Sequence, residues 1–409
     1  MLSRSADGKL VLLPALTTAH SHAFQRGMRG EAQRPGAPGG EDFWTWRGSM
    51  YRAATALDPE SIARISRVAF RELFAAGVRT VGEFHYIHHQ ADGTPYDDRT
   101  IMSDVVIGAA RAEGLRVALL RVAYHRAGPG RAAEEGQRRF CDARVEDVVR
   151  DTETLLAKYK HDPAVRIGVA PHSVRAVPPE WIRELAEWAR SRDLPFHMHV
   201  AEQQREIDEC RAETGKHPID LLADASALGP RFVAVHATHL DAEHAARLGA
   251  ARGFACICPT TEADLGDGLP DLPALRRAGA RLCTGIDSHV ITDVIADVRG
   301  LETLARLRTQ TRITFGQGAP PLHTPETRLR TLRASRSASV GDANTPAEAL
   351  WRSGSIEGAA ACGFDDAGGQ IAIPRDHPTL ALVDDERLLD AIVFSGSSTM
   401  VAASSPGSP

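Results

Sequence analysis

Short apolar runs rich in β-branched residues alternate along the chain with stretches whose apolar positions recur at helical spacing. Eight such runs fall at 14–22, 78–86, 115–124, 165–172, 195–202, 231–239, 253–261 and 281–289. Strands that alternate with helices predict parallel βαβ units, and eight of them predict an α/β fold, the (β/α)8 TIM-type barrel. Helix ends are readable too. Asp58-Pro59 supplies a capping side chain and a first-turn proline; Ile62, Ile65, Phe70, Leu73 and Phe74 mark the buried face, and Gly77 closes the helix. Pro178-Pro179-Glu180 opens another, whose Trp181, Leu185 and Trp188 read as packing residues. Residues 29–50 and 87–100, rich in Gly, Pro and Asp, read as long loops of the lid or binding kind.

The barrel is expected over 14–307, with 1–13 a remnant of an N-terminal β segment and 308–409 an irregular C-terminal region. Within that region Leu307–Thr345 is polar without a helical pattern, and Thr379–Asp384 falls where a strand of a small domain belongs. The expected accompaniment to the barrel is therefore an incomplete small β-domain built from the chain ends.

Each run closes on polar residues, as a barrel that gathers its chemistry at the C-terminal strand ends requires. His20-Ser21-His22 closes the first, and two histidines in alternation point to the same side of a strand. His199-Val200-Ala201-Glu202 closes the fifth and Asp287 the eighth. Three histidines and one aspartate suit a single Zn²⁺ ion, a ligand set that Fe²⁺ shares, with an open position for a water whose pKa the cation lowers towards ~7. The fourth run ends without a lysine that could bridge a second ion. Glu202 stands where a proton shuttle would, and His236 is placed to polarise a substrate. His197 shares a face with His199, and only the His-x-x-Glu spacing favours His199. His88 and His89, in a polar loop, read as structural or surface residues.

Composition narrows the function. A chain of 409 residues, 43% hydrophobic, can bury a sizeable core. A net charge of -5 with interspersed signs gives no polyanion-binding surface, so nucleic acid is not an expected partner. The six cysteines form no CxxC pair or framework, which fits a reducing, cytoplasmic setting; Cys256 and Cys258 read as core-strand residues. No apolar run approaches membrane-spanning length, so no membrane association is expected.

Six strings carry a family resemblance: Ala19–Arg26, Asp42–Arg47, Glu83–His89, Ala170–Val177, His199–Gln203 and Cys258–Gly268. Across roughly residues 10–305 the chain resembles the amidohydrolase superfamily and, within it, the formimidoylglutamate deiminases of histidine degradation. The resemblance implies that His20, His22, His199 and Asp287 bind zinc, that Glu202, His236 and Asp287 handle protons, and that Gln25, Arg47, Tyr86, His172 and Arg175 hold the substrate. The implied substrate is the small molecule N-formimidoyl-L-glutamate, hydrolysed to N-formyl-L-glutamate and ammonia. Its two carboxylates suit the guanidinium forks of Arg47 and Arg175. A homodimer is the assembly this reading leaves open. The rivals are a related metal-dependent deaminase or chlorohydrolase acting on a heterocyclic amine, which has no need of two carboxylate-binding arginines, and a shortened, non-catalytic relative.

Overall fold

The computed structural model describes residues 1–31, 33, 42–315 and 345–403. Eight strands form its main sheet: β1 Leu16–Ser21, β2 Val78–His85, β3 Arg116–Ala123, β4 Val165–Pro171, β5 Phe196–Val200, β6 Phe232–His236, β7 Phe254–Ile257 and β8 Arg281–Thr284. They pair in parallel and in chain order, each lying within one of the expected runs. Strands buried on both faces need apolar residues at nearly every position, which is why the runs are continuous rather than alternating. The sheet closes just past β8. Ser21 bridges Asp287, the His22 amide donates to Asp287 O at 3.0 Å, and the Asp287 amide donates to His20 O at 3.1 Å. Together with the surrounding helices this is a (β/α)8 barrel.

The expected loop at 29–50 is only partly a loop. Residues 32 and 34–41 lie outside the described residues, but Phe43–Thr55 is a helix, α1, begun by the Asp42 carboxylate accepting the Trp44 and Thr45 amides. Helix α2, Pro59–Ala75, is capped by Asp58 and Ser61 and buries Ile62, Phe70, Leu73 and Phe74, while Ile65 is half-buried. The 87–100 segment is anchored inward. His88 donates from Nε2 to Val122 O at 2.9 Å, and the His88 and His89 amides donate to Arg139 O, so both histidines are buried structural residues and the surface alternative falls. Trp181 and Trp188 are half-buried packing residues, Trp181 lying 4.4 Å from the His125 ring.

The described part of the C-terminal region, 345–403, is ordered, which corrects the expectation of irregularity; 316–344 lie outside the described residues. Thr345 caps a helix, Pro346–Arg352, whose buried Trp351 donates from Nε1 to Pro14 O at 3.0 Å. Beyond it Ala359, Ala361, Cys362 and Phe364 pack inside the barrel against Ala118, Val233 and Phe254. Small residues that fill space by close approach leave no apolar stripe in a sequence, so this plug is invisible to periodicity. Cys256 lies in β7 and Cys258 just beyond it, both buried against the same cluster. The small sheet is three-stranded and antiparallel, Ser3–Arg4, Leu10–Pro14 and Gln370–Pro374. The strand expected at 379–384 is thus displaced to Gln370–Pro374, because Pro378 lacks an amide proton and opens a 3-10 turn, Pro378–Leu380, capped by His377. No helix among the described residues is long and apolar enough to cross a membrane.

Candidate active site

Four side chains converge above the plug. His20 Nε2 lies 3.1 Å from His22 Nε2 and 3.2 Å from His199 Nε2, and Asp287 Oδ1 lies 3.3 Å from both His20 Nε2 and His22 Nε2. The tautomers follow from the other ring nitrogens. His22 Nδ1 donates to Phe84 O and His199 Nδ1 to His172 O, each at 2.9 Å; a carbonyl can only accept, so both Nε2 lone pairs face inward. Burial drives all three imidazoles towards the neutral form, His22 down to about 3. For Asp287 burial acts the other way, but the His20 hydrogen bond and the neighbouring imidazoles hold its carboxyl below the usual range.

Lone pairs this close repel unless a cation lies among them. A tetrahedral ion with bonds of ~2.0–2.1 Å separates its ligand atoms by roughly 3.3 Å, so the donor set fits a divalent cation such as Zn²⁺. His197, by contrast, donates from Nε2 to Ala361 O at 2.9 Å and turns to the plug. A chelator is therefore expected to lower the melting temperature and added Zn²⁺ to restore it, with about 2.7 kcal/mol gained at a hundredfold excess over Kd. His199→Ala should erase that response in a thermal-shift titration; an equal response in parent and variant would place the metal elsewhere.

The supports of this cluster are backbone and carboxyl. Ser21 donates to Glu83 Oε2 at 2.6 Å and the Ala23 amide to Glu83 Oε1 at 2.8 Å, so one buried carboxyl grips the residues on either side of His22. Burial pushes Glu83 up to about 8. A Cβ at Gly285 would meet His20 Cβ at 2.7 Å, which leaves glycine as the residue that fits there. Ala201, His236, Ala237, Asp287 and His289 all hold positive φ, between 51° and 67°, a conformation that costs non-glycine residues on the order of 1–3 kcal/mol each and clusters at functional sites.

Beside the cluster lies a proton-handling group. His236 Nε2 is 3.5 Å from Glu202 Oε1 and 3.7 Å from Asp287 Oδ2, while its Nδ1 faces Glu262 Oε1 at 3.3 Å. Burial opposes a charge on His236, but Glu202, Glu262 and Asp287 outweigh it and raise the imidazole well above its ordinary value. Burial raises the Glu202 carboxyl. Asp267, held by Gln203, brings a carboxylate oxygen within 4.8 Å of Glu202 and His236, and burial with the Glu202 charge pushes it up to about 9.

A narrow cavity opens onto these groups. Helix α1 contributes Phe43, Trp46, Arg47, Met50 and Tyr51 to its lining, and the strand ends and the loops after them contribute Tyr86, Tyr124, His172 and Arg175. Gln25 Nε2 donates to the Tyr86 hydroxyl at 3.0 Å, leaving Gln25 Oε1 without a partner among the described residues. Arg175 is 2% exposed, yet its Nε and Nη1 have no hydrogen-bond partner among the described residues, nor does Arg47 Nη1. The two guanidinium carbons lie 5.3 Å and 4.5 Å from the Trp44 ring. One buried and one half-buried cation with unmet donors face a cavity that therefore suits an anion.

The site residues expected from the sequence line one cavity, except His20, which is fully buried and meets the cavity-lining His22 and His199. Sequence reasoning gives no site role to Glu83, Tyr51, Tyr124, Glu262 or Asp267, though Glu83, Tyr124 and Glu262 stand among the polar residues that close their runs. Glu83, Glu262 and Asp267 sit inside the strings that carry the family resemblance, and for Glu83 a carboxylate in a run otherwise destined for burial is the available signal.

Comparison with known proteins follows the same lines. The Amidohydrolase family model matches residues 11–402. Formimidoylglutamate deiminase from Pseudomonas aeruginosa is 40% identical over 304 residues, covering 74% of this chain and 66% of that protein. 8-Oxoguanine deaminase from the same organism is 32% identical over 304 residues, covering 73% of this chain and 65% of that protein. The chain thus spans just under two thirds of the length of these two curated relatives. A solved amidohydrolase from Brucella melitensis superposes with a TM-score of 0.81 at 29% identity, over 99% of this chain and 91% of that one. An adenosine deaminase from Xanthomonas campestris with bound zinc shares the fold, with a TM-score of 0.73 at 19% identity over 96% of this chain and 78% of that one.

Proposed function

The chain belongs to the amidohydrolase family, and from that premise we propose that it is a metal-dependent deiminase that hydrolyses N-formimidoyl-L-glutamate to N-formyl-L-glutamate and ammonia, a step of histidine degradation. One observation carries the choice of substrate: two guanidiniums, the buried Arg175 and the half-buried Arg47, present unmet donors to the cavity beside the His20, His22, His199 and Asp287 cluster. A neutral heterocycle would leave both charges desolvated and unpaired, whereas a dicarboxylate satisfies them. The 40% identity to formimidoylglutamate deiminase supports the same reading.

His20, His22, His199 and Asp287 would hold one Zn²⁺ or Fe²⁺ ion, which when bound lowers the pKa of water and polarises the substrate. The chain's own groups do the rest. Arg47, Arg175, Gln25, Tyr86 and His172 bind the carboxylates and so fix the formimidoyl carbon near Glu202 and His236. Water adds to that carbon and yields a proton to Asp287, while Glu202 delivers one to the terminal nitrogen. His236, a donor at Nε2, steadies the oxygen as negative charge develops. The hydroxyl proton then passes by way of the carboxylates to the same nitrogen, the carbon–nitrogen bond breaks, and the carbonyl forms as ammonia leaves.

The test is ammonia release from N-formimidoyl-L-glutamate by the zinc-loaded protein, with guanine and 8-oxoguanine as comparison substrates. Turnover confined to the dicarboxylate is the expected result. Turnover of a purine instead would replace this reading by the heterocyclic one, to which the 32% identity with 8-oxoguanine deaminase lends its weight.

A further inference from the structure

We propose that Tyr51 and Tyr124, clamped together by Gln137, are specificity-determining residues that recognise the substrate carboxylate farther from the reacting carbon; this rests on the dicarboxylate reading above. Gln137 is fully buried, and its Oε1 accepts the Glu134 amide at 2.8 Å, which fixes which end of the amide faces the tyrosines. Its Nε2 donates to the Tyr51 hydroxyl at 3.0 Å and to the Tyr124 hydroxyl at 2.8 Å. The two phenol oxygens lie 3.2 Å apart, close enough to hydrogen-bond.

Counting protons gives the consequence. Gln137 uses both amide protons on the pair, and only one of the two phenol protons can lie between the oxygens. The other O–H has no acceptor among the described residues, in a wall of the cavity that both rings line. A buried hydroxyl without an acceptor is costly, and two further donors line the same cavity, Arg47 with its guanidinium carbon 5.5 Å from the Tyr51 ring and Arg175. Such a convergence of donors calls for an oxygen anion.

Position separates the two carboxylates. Tyr86 packs on the candidate ligand His22 directly, ring centroids 5.1 Å apart. Tyr124 reaches the candidate ligand His199 only through His172, with ring separations of 4.8 Å and 4.7 Å. The Tyr86, Gln25 and His172 side therefore serves the carboxylate near the reacting carbon, and the tyrosine pair serves the distal one.

The test compares N-formimidoyl-L-glutamate with N-formimidoyl-L-2-aminobutyrate, which lacks the distal carboxylate. The parent enzyme should favour the dicarboxylate. The double variant Tyr51→Phe/Tyr124→Phe should raise KM for the dicarboxylate ~10- to 100-fold with kcat nearly unchanged, and leave kinetics on the truncated substrate at the parent level. Each single variant should show a smaller effect of the same selectivity, since the surviving hydroxyl can still donate; the singles decide the matter if melts show the double variant unfolded. An equal loss on both substrates, or no loss on either, would overturn the proposal and make the pair a packing feature. A parent enzyme indifferent to the distal carboxylate would instead overturn the dicarboxylate reading itself.

Discussion

Replacing Glu202 by Gln is expected to lower kcat for ammonia release about a thousandfold while leaving metal content and melting temperature near the parent values. The amide keeps the shape of the carboxyl, so packing beside His236 is preserved, but it cannot deliver a proton to nitrogen or relay the next one. Glu202 stands outside the His20, His22, His199 and Asp287 cluster, 3.5 Å from His236 Nε2. Metal binding should therefore survive. Stability should survive as well, because the side chain is buried in a crowd of carboxyls with Asp267 and Glu262, where burial already disfavours its charge. Steady-state ammonia release, elemental analysis and a thermal melt on the same preparation check all three expectations. A kcat within tenfold of the parent would remove Glu202 from the chemistry, and loss of metal would recast it as a ligand.

Arg175→Met separates binding from stability more sharply. For N-formimidoyl-L-glutamate we expect kcat/KM to fall ~10²- to 10³-fold, mostly through KM, since a desolvated charge-assisted pair is worth about 3–4 kcal/mol. The melting temperature should hold or rise. The guanidinium is 2% exposed, and its unmet Nε and Nη1 carry a desolvation cost in the free enzyme, offset by stacking near Phe43 and Trp44 and by the nearby Glu206 and Glu202. Methionine fills much of the same volume without the charge. A large fall in melting temperature would show that Arg175 holds the fold, and an unchanged KM would show that the substrate makes no use of it.

How much of this was legible in the sequence differs from residue to residue. The barrel was legible because doubly buried parallel strands must be apolar throughout and end where polar residues begin. The cluster was legible because alternation on a strand places His20 and His22 together, and because His-x-x-Glu singles out His199 over His197; His197 satisfies itself on Ala361, a partner 164 positions away that no local pattern reveals. Helix α1 was misread as part of a loop. Its cavity face, Phe43, Trp46, Arg47, Met50 and Tyr51, does follow helical spacing, but the Gly- and Pro-rich residues before it dominate the composition of the window. The plug at Ala359–Phe364 had no periodicity to offer, because alanines and a cysteine packed into a barrel read like any small-residue stretch.

The seam between β1 and β8 has a bearing on the order in which the chain becomes functional. Backbone hydrogen bonds join residues 20–22 to Asp287, and the side chains of His20, His22 and Asp287 meet across that same joint. Their contact closes a loop of more than 260 residues, the kind of long-range pairing whose entropic cost falls late in folding. A nascent chain that has made seven strands owns three imidazoles but no pocket for a cation. An ion bound there would act as a clasp, so metal uptake reports that the last strand has docked, and its loss loosens the sheet at the one joint where the ends of the ring meet.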